Sequence, residues 1–312
     1  MKRLLLLFFA LLLTACQNKP FNPKEVRHLS IFADNIYYQD EDGTVFYIEN
    51  GSDKPTKTDL EGNIFQIDGK VYLVGGGKIC VLSNGSFAEM GTAPNSTIVE
   101  LIGIVEDCCY YIEWGELVSW NYKTSERNDM YSFGDAVNYP FGVTTDGVFY
   151  GTHEGLFELR FTKSAPGKIF DGNITSVRSV NDTVFFAVST LREDTSQDGG
   201  KQSQVYDGAA YYKYDGGNPI MITTVEHVGS SSTKFAVIQG MIYGVASNAD
   251  QTESILWWMD DNGELSQVTL SEKIDVSGGI EVDNNMIVMA DMQANIWLFS
   301  RANNTLRMLT KQ

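Results

Sequence analysis

Residues 101–122 read LIGIVEDCCYYIEWGELVSWNY. An apolar segment leads to the polar pair Glu106-Asp107. A second segment follows, carrying Tyr110 and Tyr111 side by side, and after a short break comes a third, Leu117-Val118-Ser119. Successive side chains of a strand point to opposite faces, so adjacent tyrosines put a large ring on each face of one strand. The same doubling occurs at Tyr37-Tyr38, Phe185-Phe186, Tyr211-Tyr212 and Trp257-Trp258. A sheet with one wet face should alternate apolar and polar positions. These strands ask for burial on both faces.

The phrase recurs seven times. Its tight polar turn is read at Asp34-Asn35, Asp68-Gly69, Glu106-Asp107, Asp146-Gly147, Asn181-Asp182, Gln239-Gly240 and Asp283-Asn284. Most of these pairs suit the positive φ angles of two-residue hairpins. The spacing is about 40 residues, the period of a four-stranded blade, with one longer interval between Asn181 and Gln239. After residue 16 no stretch shows a sustained helical period. A radial array sandwiches each sheet between two others and leaves only short edges. The expectation is therefore an all-β fold: a seven-bladed β-propeller of four-stranded antiparallel blades over residues 28–312. The approximate units are 28–60, 61–97, 98–136, 137–173, 174–230, 231–273 and 274–311.

Ahead of the repeats, Met1-Lys2-Arg3 is basic and Leu4 to Leu13 has no polar residue. The run is too short to cross a bilayer, which takes about 20 residues, and suits the core of a secretory signal. Leu13-Thr14-Ala15-Cys16 resembles the lipobox of bacterial lipoproteins. The resemblance implies cleavage after Ala15, acylation of Cys16 and anchoring by two or three acyl chains. Residues 1–15 are then the signal peptide and 16–27 a lipidated tether with Pro20 and Pro23. The expected location is the cell envelope, on the extracytoplasmic side of the membrane; Gln17, in place of Asp, points to the outer membrane if the source is Gram-negative. The repeat itself resembles an uncharacterised family of bacterial lipoprotein propellers, with a distant likeness to TolB-type repeats.

The net charge is −17, and loss of Lys2 and Arg3 makes the mature chain more acidic still. Such a surface repels phosphate backbones, which excludes nucleic acid as a partner. It also repels anionic headgroups, leaving the lipid as the membrane attachment. Cys80, Cys108 and Cys109 remain beside Cys16. They read either as buried thiols or as a Cys80 disulfide to one of the adjacent pair. No CxxC spacing is present.

If the first strand of each repeat is innermost, the loops between strands two and three rise near the channel mouth and should form an acidic face. The candidate ligand-binding residues there are Asp40, Asp42, Glu113, His153, Glu154, Asp194, Asp198 and Asp250. Gly75-Gly76-Gly77-Lys78 echoes a phosphate loop, but it joins two strands and reads as a hairpin. Asp194 to Gly199 has the first half of a calcium loop, but Val205 stands where a bidentate Glu is needed. The segment from Arg192 to Asp207 reads instead as a solvated, mobile insertion. His153-Glu154 is a possible acid–base pair. No serine elbow or zinc motif is found, and no catalytic residue, metal or cofactor is assigned. The favoured function is a non-catalytic binding or scaffolding module for a protein, peptide or glycan. The alternative is a polysaccharide-acting glycoside hydrolase or lyase with its site at the channel mouth.

Overall fold

The computed structural model describes residues 26–94, 100–134, 139–194, 203–226, 234–247, 252–259, 264–291 and 293–309. The expected signal peptide and nearly all of the expected tether, Cys16 included, lie outside them, as do Asp198 and Asp250. The described residues form 28 strands and no helix, grouped into seven four-stranded sheets. Within every sheet the strands lie in sequence order and each neighbouring pair is antiparallel. All seven blades fall within the expected units, save that the first strand begins at Arg27.

The innermost strands are Arg27–Phe32, Asn63–Ile67, Glu100–Val105, Phe141–Val143, Ile174–Val180, Phe235–Ile238 and Val276–Asp283. Each neighbours the next, and the first neighbours the last, which closes the ring. Among the described residues no strand is exchanged between the first and last blades. The closure rests instead on side chains: Ile36, Tyr38 and Ile48 of the first blade pack with Val288, Ile296 and Leu298 of the seventh.

Seven apolar clusters fill the seven clefts, one between each pair of adjacent blades. The aromatic doublets divide between them. Tyr37 enters the cleft with the second blade and Tyr38 the cleft with the seventh. Tyr110 and Tyr111, Phe185 and Phe186, and Trp257 and Trp258 split in the same way. Trp257, Tyr38, Tyr111, Tyr211, Tyr243 and Phe186 are among the largest fully buried side chains. At about 25 cal/mol per Å² of apolar area, these rings supply much of the burial free energy.

Four of the seven tight turns fall on the expected pairs. The others move by one residue, to Ala33-Asp34, Thr145-Asp146 and Asn284-Asn285. Ala33 and Asp34 have φ of 50° and 61°, and alanine is a poor occupant of that region. The hairpin reading of Gly75 to Lys78 holds: Gly76 and Gly77 turn the chain at φ 58° and 75°.

One expectation is corrected. Of the insertion expected at residues 192–207, residues 195–202 lie outside the described residues; residues 192–194 and 203–207 are not structureless. Strand Thr183–Asp194 pairs with Ser203–Tyr214 out to Asp194 opposite Ser203. The flanking strands stop earlier, at Val188 and Gly208, so the fifth blade extends into a two-stranded ribbon. The cause is alternate ladder pairing, which satisfies the backbone of a polar segment without a core. Arg192 and Val205 are register partners, a geometry unlike a calcium loop.

Candidate functional site: the axial channel

The strand order fixes which ends share a face. Beginnings of first strands, turns between strands two and three, and connections between blades lie at one mouth; the tight turns ring the other. All seven inner strands line a channel of about 730 Å³, within the usual size of a ligand pocket.

Its polar groups sit at different depths. The third residue before the tight turn is Arg178 in blade five, Ala236 in blade six and Glu281 in blade seven. Arg178 donates from Nη2 to Glu281 Oε1 at 3.0 Å, bridging blades five and seven across blade six. Burial raises the Glu281 pKa, and the guanidinium opposes that rise. Lys234 enters the channel two residues nearer the mouth. Its ammonium is pushed below the ordinary lysine range by burial and then by Arg178. Glu100 opens the inner strand of blade three, and burial raises its carboxyl. His28 packs edge-on against Phe65, with centroids 4.7 Å apart. Burial and then Arg27 hold its imidazole at about 4. At the opposite mouth Asp68 is pushed up to about 6, chiefly by burial, with Lys70 opposing and Asp182 reinforcing.

Side chains near the axis also tie blades together. Gln66 Oε1 accepts from Ile31 N–H at 2.7 Å, and Ser179 Oγ accepts from Val143 N–H at 3.0 Å. Asp182 Oδ1 accepts from Thr145 N–H at 2.8 Å. Gly103 allows its strand to approach the fourth blade, since a Cβ there would stand 1.9 Å from Val143 Cγ1.

None of the described candidate residues lines this channel. The loops between strands two and three begin one strand farther from the axis, about 4.8 Å out. Asp40 is used by its own loop: its Oδ1 accepts from Asp42 N–H at 3.0 Å and Thr44 N–H at 2.8 Å. Asp42 is exposed. Glu113 binds Arg127, whose Nε also donates to Asp129 at 2.8 Å. His153 Nε2 and Glu154 Oε1 stand 3.8 Å apart on the open surface. Asp194 ends its strand in the ribbon. Among the described residues no group of three His, Cys, Asp or Glu side chains is placed to hold a metal. Cys80, Cys108 and Cys109 are all free thiols, so the disulfide alternative is not realised.

Sequence reading missed Arg178, Lys234, Glu281, Glu100 and Asp68 as site residues. The available signal was a pair of opposite charges, Arg178 and Glu281, at one repeat position within otherwise apolar inner strands. Trp114 was also missed. It is 95% exposed at the turn between strands two and three of blade three, with φ 53°. Its neighbour Gly115 accepts from Phe133 N–H at 2.9 Å.

Neither a protein-family model nor a curated protein matches the sequence. Solved structures do match. The computationally designed Ika8 protein aligns at 12% identity over 90% of this chain and 98% of its own, with a TM-score of 0.56. Virginiamycin B lyase from Staphylococcus aureus aligns at 11% identity over 88% and 94%, with a TM-score of 0.54. An uncharacterized protein from Listeria monocytogenes aligns at 12% identity over 94% and 96%, with a TM-score of 0.58. At such identities the likeness is one of architecture, and it extends over nearly the whole chain.

Proposed function

We propose that this protein is a non-catalytic, ligand-binding β-propeller, held at the extracytoplasmic side of a membrane by acylated Cys16, and that its ligand enters the axial channel. The observation that carries the binding reading is the convergence of charges from blades three, five, six and seven on one cavity, with Arg178 and Glu281 half-buried in its wall and Glu100 and Lys234 exposed to it. Polar groups grouped in this way, with shifted titration, are a usual mark of a functional site. Glu100, Glu281 and Asp68 enter the channel from three different blades, at the near mouth, the middle and the far mouth. The anchor rests on the basic start, apolar run and lipobox of residues 1–16.

The site is tested by narrowing the near mouth with Thr175→Trp and offering cell-envelope extracts to both proteins, with mass spectrometry of what is retained. Wild type should retain a ligand, unaltered, that the variant does not. Equal retention would overturn the channel assignment, and release of a cleaved product would overturn the non-catalytic one. For the anchor, Cys16→Ser should move the protein out of the membrane fraction; continued detergent partitioning at mature mass would refute it.

A further inference from the structure

Two side chains at the near mouth carry acceptor atoms that the protein itself does not use. Glu100 opens the inner strand of blade three and is exposed to the channel, while His28 lies in the inner strand of blade one and is half-buried. They stand six and five residues ahead of their tight turns, so they enter at nearly one depth, on either side of blade two. Among the described residues neither side chain makes a hydrogen bond or an ion pair. The channel walls raise the Glu100 carboxyl, and no neighbouring charge contributes. His28 is neutral above about 4, so one of its ring nitrogens is an acceptor. Aromatic rings adjoin both groups. Phe65 of blade two lies against His28. Tyr139 of blade four, also six residues ahead of its turn, lines the wall next to the blade of Glu100. It is half-buried and held by stacking on Tyr150, with centroids 5.9 Å apart. The other charges of the channel lie elsewhere. Arg178 and Glu281 answer each other deeper in, Asp68 is at the far mouth, and Lys234 is on the wall of blade six.

We propose that Glu100 and His28 receive the ammonium group of a small cationic ligand at this mouth, with the ligand's apolar body against Tyr139. This deepens the channel reading and rests on it. An ammonium has three donors. The carboxylate accepts one in a charge-assisted hydrogen bond, and the neutral imidazole accepts a second. The rings add the attraction of a cation for an aromatic face. The net charge of −17 draws cations toward the mouth, an attraction that salt screens. The ligand binds ionised Glu100 better than protonated Glu100, so binding releases protons at pH values where the free carboxyl is partly protonated. Protonation of His28, below about 4, replaces an acceptor with a repelling charge.

The experiment is calorimetric titration of the folded full chain with phenethylamine and with hexylamine, in two buffers of different ionisation enthalpy, with phenethyl alcohol as the uncharged counterpart. At least one amine should bind, with net proton release at mildly acidic pH and weaker binding in added salt, and the alcohol should bind at least about tenfold more weakly. Glu100→Gln should weaken the amine about tenfold or more, the order of a lost hydrogen bond to a charged group, and should remove the proton release. The fold should stand, because Gln replaces a side chain with no protein partner. Glu100→Asp keeps the charge and should retain part of the affinity. His28→Asn, which suits the backbone there, should weaken the amine severalfold. The proposal is overturned if neither amine binds wild type, if the alcohol binds as well as the amine, or if binding survives Glu100→Gln unchanged. If the envelope ligand lost by Thr175→Trp proves to carry no cationic group, this inference falls while the channel reading stands.

Discussion

Asp291 and Trp297 form a buried hydrogen bond, indole Nε1 to carboxylate Oδ2 at 2.8 Å. The same carboxylate accepts from Gln293 N–H at 2.9 Å and Asn295 N–H at 2.8 Å, and from Asn295 Nδ2 at 2.9 Å. It thereby fixes both a loop of the seventh blade and the ring beside it. Asp40 caps the corresponding loop of the first blade through two of these bonds. Asp291→Ala leaves a buried indole N–H without its acceptor, a loss of about 2 kcal/mol or more. Chemical denaturation should show this loss, with Asp291→Asn less affected and Asp40→Ala, nearer solvent, smaller still.

The acid response carries two opposed contributions. His28 falls from 6.5 to about 4 on folding. The unfolded chain therefore binds its proton first, and stability is lost as pH falls through that window. Asp68 rises from 3.8 to about 6. Here the folded state binds the proton first, and stability is lost as pH rises through its window. Between about 4 and about 6 the slopes oppose each other. Asp68→Asn should expose a steeper acid loss, and His28→Asn should remove it. Asparagine is chosen because His28 has φ 48°, which Asn tolerates. Urea midpoints measured across this range, unchanged in slope for both variants, would refute the assignment.

The ribbon of the fifth blade lies beyond its two flanking strands, so it adds no four-stranded packing. Deleting residues 195–204 should leave the propeller folded, with the melting temperature changed by no more than a few degrees. A deletion that cuts into Val184 to Val188, which pair on both sides, should be severe. Circular dichroism melts of the two deletions separate these outcomes.

The three thiols should react in order of burial. Cys109 is fully buried, and desolvation pushes its pKa to about 12. Cys80 and Cys108 are half-buried and raised chiefly by the same cause. Alkylation of the native protein should label Cys80 and Cys108 slowly and Cys109 only after unfolding. Peptide mass mapping provides the check; rapid native labelling of Cys109 would contradict the packing of blades two and three.

The architecture was legible because each aromatic doublet states a two-sided burial requirement that few folds meet. Tyr110 and Tyr111 could not both be dry in a two-layer sandwich. Turn positions were less legible, since Ala33 occupies a positive φ by tertiary demand. The site was hidden for a different reason. Acidic loop residues look like ligand contacts, yet Asp40 and Glu113 stabilise their own blades. Arg178 and Glu281, by contrast, stand in strands whose periodicity reads as core. Only the closure of the ring brings residues 103 positions apart to hydrogen-bonding distance.

Strand order runs from the axis outward in every blade, without exchange between the first and last blades among the described residues. The polypeptide thus enters at the hub, at Val26 and Arg27, while its last strand, Thr305–Met308, lies outermost in the seventh blade; beyond that strand Leu309 is buried in the same apolar cluster as Val26. Any leash attached ahead of Val26 pulls on the wall of the channel, at the same mouth that admits Lys234 and Glu100. A bulky fusion at that end competes with whatever enters the hub. Strain on either end of the described chain therefore reaches the one cleft that closes the ring, between the first and seventh blades.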